Sequence, residues 1–276
     1  MRAIWPGLIS PLFIGLALGP ALGDVVISTS PTQNIGCSSG VCVPTAVDAV
    51  FNSNDLQNML AASNVSISTT GSGVQANNIV VASKFSWKAS NGLTLDAYDS
   101  ITVNAPVTVK GKSSVTVNTN DGGTGGVFVF GPQGRMDIRN LATNLVINGA
   151  SFVLVNSVSS LASAVTVNTA GNYALTTNYD ASGDGTYYGM PIATEVSGNV
   201  QGLGNTISNL SVRFARMNKL GGVIYDVSST GSIQNLRLVN ERTQIGKQAG
   251  WGGLTGGNVG LLFNDSVTGT FKTNCA

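Results

Sequence analysis

From Asn64 to Phe130 apolar positions recur with a period of two. Val65 and Ile67, Ile79 and Val81, Leu93 and Leu95, Ile101 and Val103, Val107 and Val109, and Val115 and Val117 alternate with mostly small or polar residues. Strands with one face buried show this alternation, and the Val, Ile and Thr that dominate it suit a pleated surface. The runs are short. Gly71-Ser72-Gly73, Asn91-Gly92 and Lys110-Gly111-Lys112 separate them, and Gly and Asn accept left-handed backbone angles at little cost. Two all-β arrangements compete. Antiparallel hairpins would give a sandwich or barrel, whereas a parallel coil would set each strand above its counterpart one turn later.

Helical spacing occurs in two places. In Ser53 to Leu60, Leu56, Met59 and Leu60 fall on one face, Ser53 or Asn54 can cap the start, and Asp55 suits the first turn. This helix belongs to an N-terminal cap over residues 24–62, which opens with a short strand at Val25-Val26-Ile27, and its apolar face is predicted to cover the end of a β stack. Val158 to Val165 predicts a second short helix on the outside of the coil.

Internal repetition favours the parallel coil. Gly222 to Ile233 aligns without gaps on Gly260 to Phe271, an offset of 38 residues, and Ile207-Ser208-Asn209-Leu210 echoes Ile233-Gln234-Asn235-Leu236, an offset of 26. Unequal offsets suit a solenoid whose coils carry loops of different length. Stacking of like on like predicts an asparagine ladder that joins Asn209 to Asn235. The expected architecture is a right-handed parallel β-helix, with coils over residues 63–156 and 157–276 as two segments of one solenoid and no linker between them.

Leu93-Thr94-Leu95-Asp96-Ala97-Tyr98-Asp99-Ser100-Ile101-Thr102-Val103-Asn104-Ala105-Pro106-Val107 resembles the strand repeats of filamentous-haemagglutinin-like bacterial adhesins. Tyr173 to Gly183, followed by Gly202 to Leu210, resembles the lead-in to the glycine-rich GLUG-type repeats of those proteins, and Gly252-Gly253-Leu254-Thr255-Gly256-Gly257-Asn258 is close to their Gly-Gly-Leu core. The resemblance implies a right-handed β-helix, secretion to the bacterial outer surface, and attachment to glycans or proteins of other cells or surfaces. The GLUG-like series stops inside a repeat, as a fragment of a larger adhesin, a truncated gene product or a small free-standing relative would.

Composition narrows the picture. Charged residues make up 10% of the chain and the net charge is +1, against a usual share of about 25%. Such a balance offers no electrostatic footprint for nucleic acid or an anionic membrane. The sequence contains no His, so the commonest general base and metal ligand is missing. Residues 1–23 read as a signal peptide: Met1-Arg2 is a basic start, Leu8 to Leu18 is mostly apolar, and Ala21 and Gly23 are small at the cleavage positions. No membrane span is expected in the mature chain. In an exported protein Cys37 and Cys42, which bracket a tight loop, are expected to form a local disulfide. For Cys275 a free thiol, a cross-chain bond and a continuing chain all stay open.

Candidate chemistry is sparse. No catalytic residue, cofactor or metal site is expected. Asp96 with Asp99, and Asp180 with Asp184, are the carboxylate pairs that a carbohydrate-active β-helix enzyme (a lyase or hydrolase) would need. Asp beside a turn is equally at home there for backbone reasons. Asp180 to Gly185 loosely resembles a calcium loop without its full ligand set. Tyr179, Tyr187 and Tyr188 lie in one Gly-rich stretch and are candidate glycan contacts. Arg213, Arg216, Lys219, Arg237, Arg242 and Lys247 concentrate positive charge that suits anionic glycans or simply a solvated outer face. Val127 to Phe130 reads as a buried strand. A non-catalytic adhesin-like module is therefore expected, with end-to-end stacking of coils from other chains as a further kind of partner.

Overall fold

The computed structural model describes residues 23–71, 74–215, 219–247 and 249–273. The signal segment before Gly23, Arg216 and Cys275 lie outside the described residues.

The alternating segments form a parallel β-solenoid of about nine turns. In its first part three walls surround one core. One wall contains Val25–Ser28, Ile79–Val81, Ile101–Val103 and Phe128–Phe130 in sequence along the stack. A second contains Val65–Ser68, Leu93–Asp96, Ser114–Asn118 and Asn144–Ile147. The third contains Phe85–Trp87, Pro106–Val109 and Arg135–Ile138. The register puts Val65, Leu93, Val115 and Leu145 in one line and Ile67, Leu95, Val117 and Ile147 in the next. All eight are buried. A shift of one residue would turn each line outward, so the period of two also sets the register.

Helix α1 (Ser53–Ala62) stands where the third wall would begin. Its cap is Asn52, whose side chain accepts from the backbone of Asn54 at 2.8 Å, whereas Ser53 is buried. The cap thus lies one residue before the expected Ser53 or Asn54, because only a residue still in extended backbone can turn its side chain back on the first turn. Leu56 and Leu60 bury into the core. The Gln57 side-chain oxygen accepts from the Ser86 backbone N–H at 3.0 Å, on the side of strand Phe85–Trp87 that has no strand beside it. Cys37 and Cys42 face each other across the hairpin Ile35–Ser38/Val41–Pro44 and are joined by a disulfide.

At Asn148-Gly149 the chain reverses. Both residues have positive φ, +48° and +78°, and the flanking Ile147 and Ala150 pair antiparallel. Asn-Gly is the dipeptide best suited to a two-residue turn of this kind. The wall then continues through Ala150–Val155, Asn172–Leu175, Asn199–Gln201, Ser232–Gln234 and Leu261–Phe263, all parallel to one another. Its two faces serve different cores. Leu154 and Ala174 join the first; Val155, Tyr173, Leu175, Val200 and Ile233 join a second. The two faces of this wall thus line two apolar clusters within the solenoid. Helix α2 (Val158–Val167) buries one face, Val158, Leu161 and Val165, in the second core and leaves Ser159, Ser163, Thr166 and Val167 exposed. Ser157 and Ser160 form its capping box, and the Tyr173 hydroxyl closes its other end by donating to the Ala164 carbonyl at 2.9 Å.

The repeats stack with offsets other than those that the sequence echoes suggested. Ile207 lies on Leu238 and Ile233 on Leu262. Ile224 lies on Thr255. Asn209 and Asn235 therefore belong to different corners and do not pair. Each meets another asparagine: Asn240 donates to the Asn209 side-chain oxygen at 2.5 Å, and Asn264 donates to that of Asn235 at 2.8 Å. All four have φ between +55° and +58°, the left-handed corner conformation that Asn tolerates. Short Gly/Asn strings recur at several corners, such as Asn148-Gly149, Asn209, Asn235, Asn240 and Asn264, so the sequence alone does not distinguish one such corner from another.

The second part seals the first. Asn235 donates to the Phe128 carbonyl at 3.1 Å, Asn264 to that of Phe130 at 3.1 Å and Asn205 to that of Met136 at 3.0 Å. Arg237 reaches the Gly131 carbonyl at 2.6 Å. Gly204 lies at this seam with φ +71°, and a Cβ there would stand 2.5 Å from the Gly134 carbonyl oxygen. Gly204→Ala should lower unfolding stability by about 1–3 kcal/mol in thermal denaturation. Gly183→Ala, whose Cβ would meet nothing within 4 Å, should be near neutral. Removing the disulfide with Cys37→Ser and Cys42→Ser should cost about 2 kcal/mol, the modest loss expected for so short a loop, as measured by denaturant unfolding.

Candidate functional site

The second part carries an open concave surface on the outside of one wall. Here Ser211–Phe214 pairs parallel with the long strand Arg237–Ile245, which pairs on its other side with Ser266–Thr273. Alternation points Val212, Phe214, Thr243 and Ile245 inward, where they are buried, and Ser211, Arg213, Arg242 and Gln244 outward. The register aligns Ser211, Arg242 and Thr270 in one row across the strands and Arg213, Gln244 and Lys272 in the next. These residues, with Thr186 and Tyr188, line an open groove of about 650 Å³. No lining residue is acidic. Among the described residues the ion pair is Arg135 with Asp137 at 3.0 Å, neither of which lines the groove, and no ion pair joins Arg213, Arg242 or Lys272 to a carboxylate of a described residue.

The three tyrosines separate into two roles. Tyr179 and Tyr187 both donate their hydroxyls to Asp184, Tyr187 at 2.6 Å. The bond to Asp184 holds the Tyr179 hydroxyl protonated and pushes its pKa up to about 12; burial, then the same carboxylate, raises that of Tyr187. Their polar ends are thus occupied. Tyr188 is 81% exposed and stands at the groove. Of the basic residues, Arg213 and Arg242 are in the groove, Arg237 is spent on carbonyls at the seam, and Lys219 and Lys247 are exposed outside the lining. Lys272 enters the groove unannounced by sequence. The signal was present in the alternation Thr268-Gly269-Thr270-Phe271-Lys272, but its row became visible only with the register.

The carboxylate candidates do not converge. Asp180 accepts from the Ser182 backbone at 3.0 Å and from Asn209 at 2.9 Å, and these bonds hold its pKa below the ordinary value. It extends the asparagine ladder and caps a one-turn 3-10 segment. Asp96 accepts from Asn118 one coil later at 3.1 Å, and burial raises its pKa. Asp99 has one buried oxygen without a partner. Among the described residues no cluster of three or more His, Cys, Asp or Glu side chains is placed to hold a metal ion. Beneath the groove, Glu241 is fully buried. Its Oε1 accepts from Thr243 at 2.6 Å and from Trp251 at 2.8 Å, and burial raises its pKa. It faces the core, away from the groove.

The fold and groove define a β-solenoid with a basic outer face. The chain is 27% identical over 237 residues to halomucin of Haloquadratum walsbyi, a match that covers 80% of this chain and 2% of that protein. The chain therefore spans a small fraction of the curated relative that it matches. No family model and no solved structure matches the chain. No helix among the described residues is long and apolar enough to cross a membrane.

Asp265, in the corner just before the strand that carries Lys272, gives this region a pH dependence. Burial pushes its pKa up to about 7, against the lowering effect of backbone bonds from Leu236 and Phe263. Between about pH 4 and pH 7 the folded chain keeps a proton that the unfolded chain has released, so stability falls as pH rises through that window. Tm measured across it should fall more steeply in the natural chain than in Asp265→Asn; parallel profiles would refute the assignment.

Proposed function

We propose that this chain is a non-catalytic, adhesin-like β-helix module, exported and displayed outside the cell, that attaches to glycans through the groove beside Tyr188. The observation that carries this reading is the lining itself: three cations, hydroxyl and amide groups and an exposed aromatic ring, with no acidic side chain. Sugar recognition draws on such groups, since hydroxyls and amides bond sugar hydroxyls and a tyrosine ring packs on a sugar face. Glycoside hydrolysis by the usual route instead needs two carboxyl groups about 5–10 Å apart across the bond to be cleaved. The resemblance to haemagglutinin-like repeats supports attachment as the task, and the leader-like residues 1–23 support export. The low charge of the chain, with a net +1, supports a partner other than nucleic acid.

The runner-up is a polysaccharide lyase or hydrolase built on the same coil. Incubation of the full chain with plant and bacterial polysaccharides distinguishes the two. Retention on immobilised glycan without release of reducing or unsaturated ends is expected. Catalytic release of such ends would replace attachment with turnover.

A further inference from the structure

We propose that the groove takes a polyanionic glycan, a sugar chain that bears sulfate or carboxylate groups at intervals, and that Arg213, Arg242 and Lys272 receive those groups. This rests on the attachment reading above and assigns its ligand class.

The argument starts from spacing. Neighbouring strands lie about 4.8 Å apart and alternate residues about 6.6 Å apart along a strand. In the observed register Arg242 is one strand and two residues away from both Arg213 and Lys272. Its backbone therefore lies about 8 Å from each, and Arg213 and Lys272, two strands apart in one row, lie about 10 Å apart. Three cations form a triangle on a rigid wall, all exposed. A solvated protein face ordinarily mixes charges of both signs. Here the chain has 13 acidic residues, yet none lines the groove. Like charges held this close repel one another, and an anionic ligand relieves that repulsion as it binds.

The residue types fit the same ligand. An arginine fork donates two parallel hydrogen bonds to a carboxylate or a sulfate-like group, which gives direction as well as charge. Between the cations stand Ser211, Gln244 and Thr270, and Thr186 pairs with the Ser211 hydroxyl at 3.2 Å. These are short neutral groups at the level of sugar hydroxyls. Because the rows run across the strands, an extended glycan lies along the stacking direction and meets cations from successive coils. The wall is hydrogen-bonded on both sides of the central strand, so the ordering cost of binding falls on the side chains and not on the backbone. A nucleic acid would ask for more: stacking along a strand uses several aromatic rings, and the groove offers Tyr188.

The test uses the full chain with heparin as the sulfated probe, polygalacturonate as the carboxylated probe, dextran as the neutral probe and a single-stranded oligonucleotide, each titrated at low and moderate salt. Heparin, polygalacturonate or both should bind, more weakly as salt rises, and dextran should bind at least tenfold more weakly. Which of the two binds tighter identifies the anionic group. Arg242→Ala should weaken polyanion binding about tenfold, within the range for a charge-assisted hydrogen bond. The triple change Arg213→Ala, Arg242→Ala, Lys272→Ala should abolish it with an unchanged thermal melt, while Lys219→Ala with Lys247→Ala should leave it intact. Equal binding of dextran and polyanions, or polyanion binding that survives the triple change, overturns the ligand class and leaves attachment standing. Failure to bind any glycan, including surface glycans of whole cells, overturns both. Tighter binding of the oligonucleotide than of either polyanion overturns the glycan assignment.

Discussion

A parallel β stack satisfies its backbone everywhere except at its ends, where each strand presents a row of unpaired N–H and C=O groups. Closing those ends is the constraint on which this structure depends. At the start, α1 takes the place of a missing strand and Gln57 supplies the bond that the strand would have made. At the other end of the first core, strand 128–130 and the coil that follows it receive Asn205, Asn235, Asn264 and Arg237 from the second part. One set of side chains thus does two things. Asn235 and Asn264 hold a left-handed corner against each other, and the same amides close the neighbouring edge.

The hairpin at Asn148-Gly149 makes that closure feasible. Without the reversal, the chain would add another coil to the first core and move the open end further along. With it, the continuing wall acquires two buried faces, as Tyr173, Ala174 and Leu175 show by being buried in succession. Parallel strands covered on both sides are expected to be continuously apolar instead of alternating, and this stretch follows that rule. The second core then winds around its own interior, with α2 at its start.

The same alternation that fills each core leaves the outward positions free to carry recognition groups. On the wall formed by 211–214, 237–245 and 266–273, inward Val212, Phe214 and Thr243 anchor outward Arg213, Arg242 and Gln244. Below them Glu241 is buried and bonded to Thr243 and Trp251, and Asp265 accepts from the backbone of Leu236 and Phe263, so neither acid lines the outer face. The groove is therefore basic by arrangement in a chain that is nearly neutral in total.

Period-two alternation, corner residues and the two helical spacings were legible along the chain, because each depends on neighbours within a few positions. They determined that strands would form and which side chains would be inside, while the choice of parallel coils over hairpins rested on internal repetition. The pairing of particular coils was not legible. Corners built from Gly and Asn look alike, so Asn209 was matched with Asn235 although its partner is Asn240. Lys272 and the grouping of Arg213 with Arg242 depend on strands that are distant in sequence, and their rows exist only once the register is set. Direction and closure belonged to the tertiary structure as well. The Asn148-Gly149 turn is a local signal, but that it would divide the apolar interior in two followed from burying both faces of one wall, a gain that arises only when the parts meet.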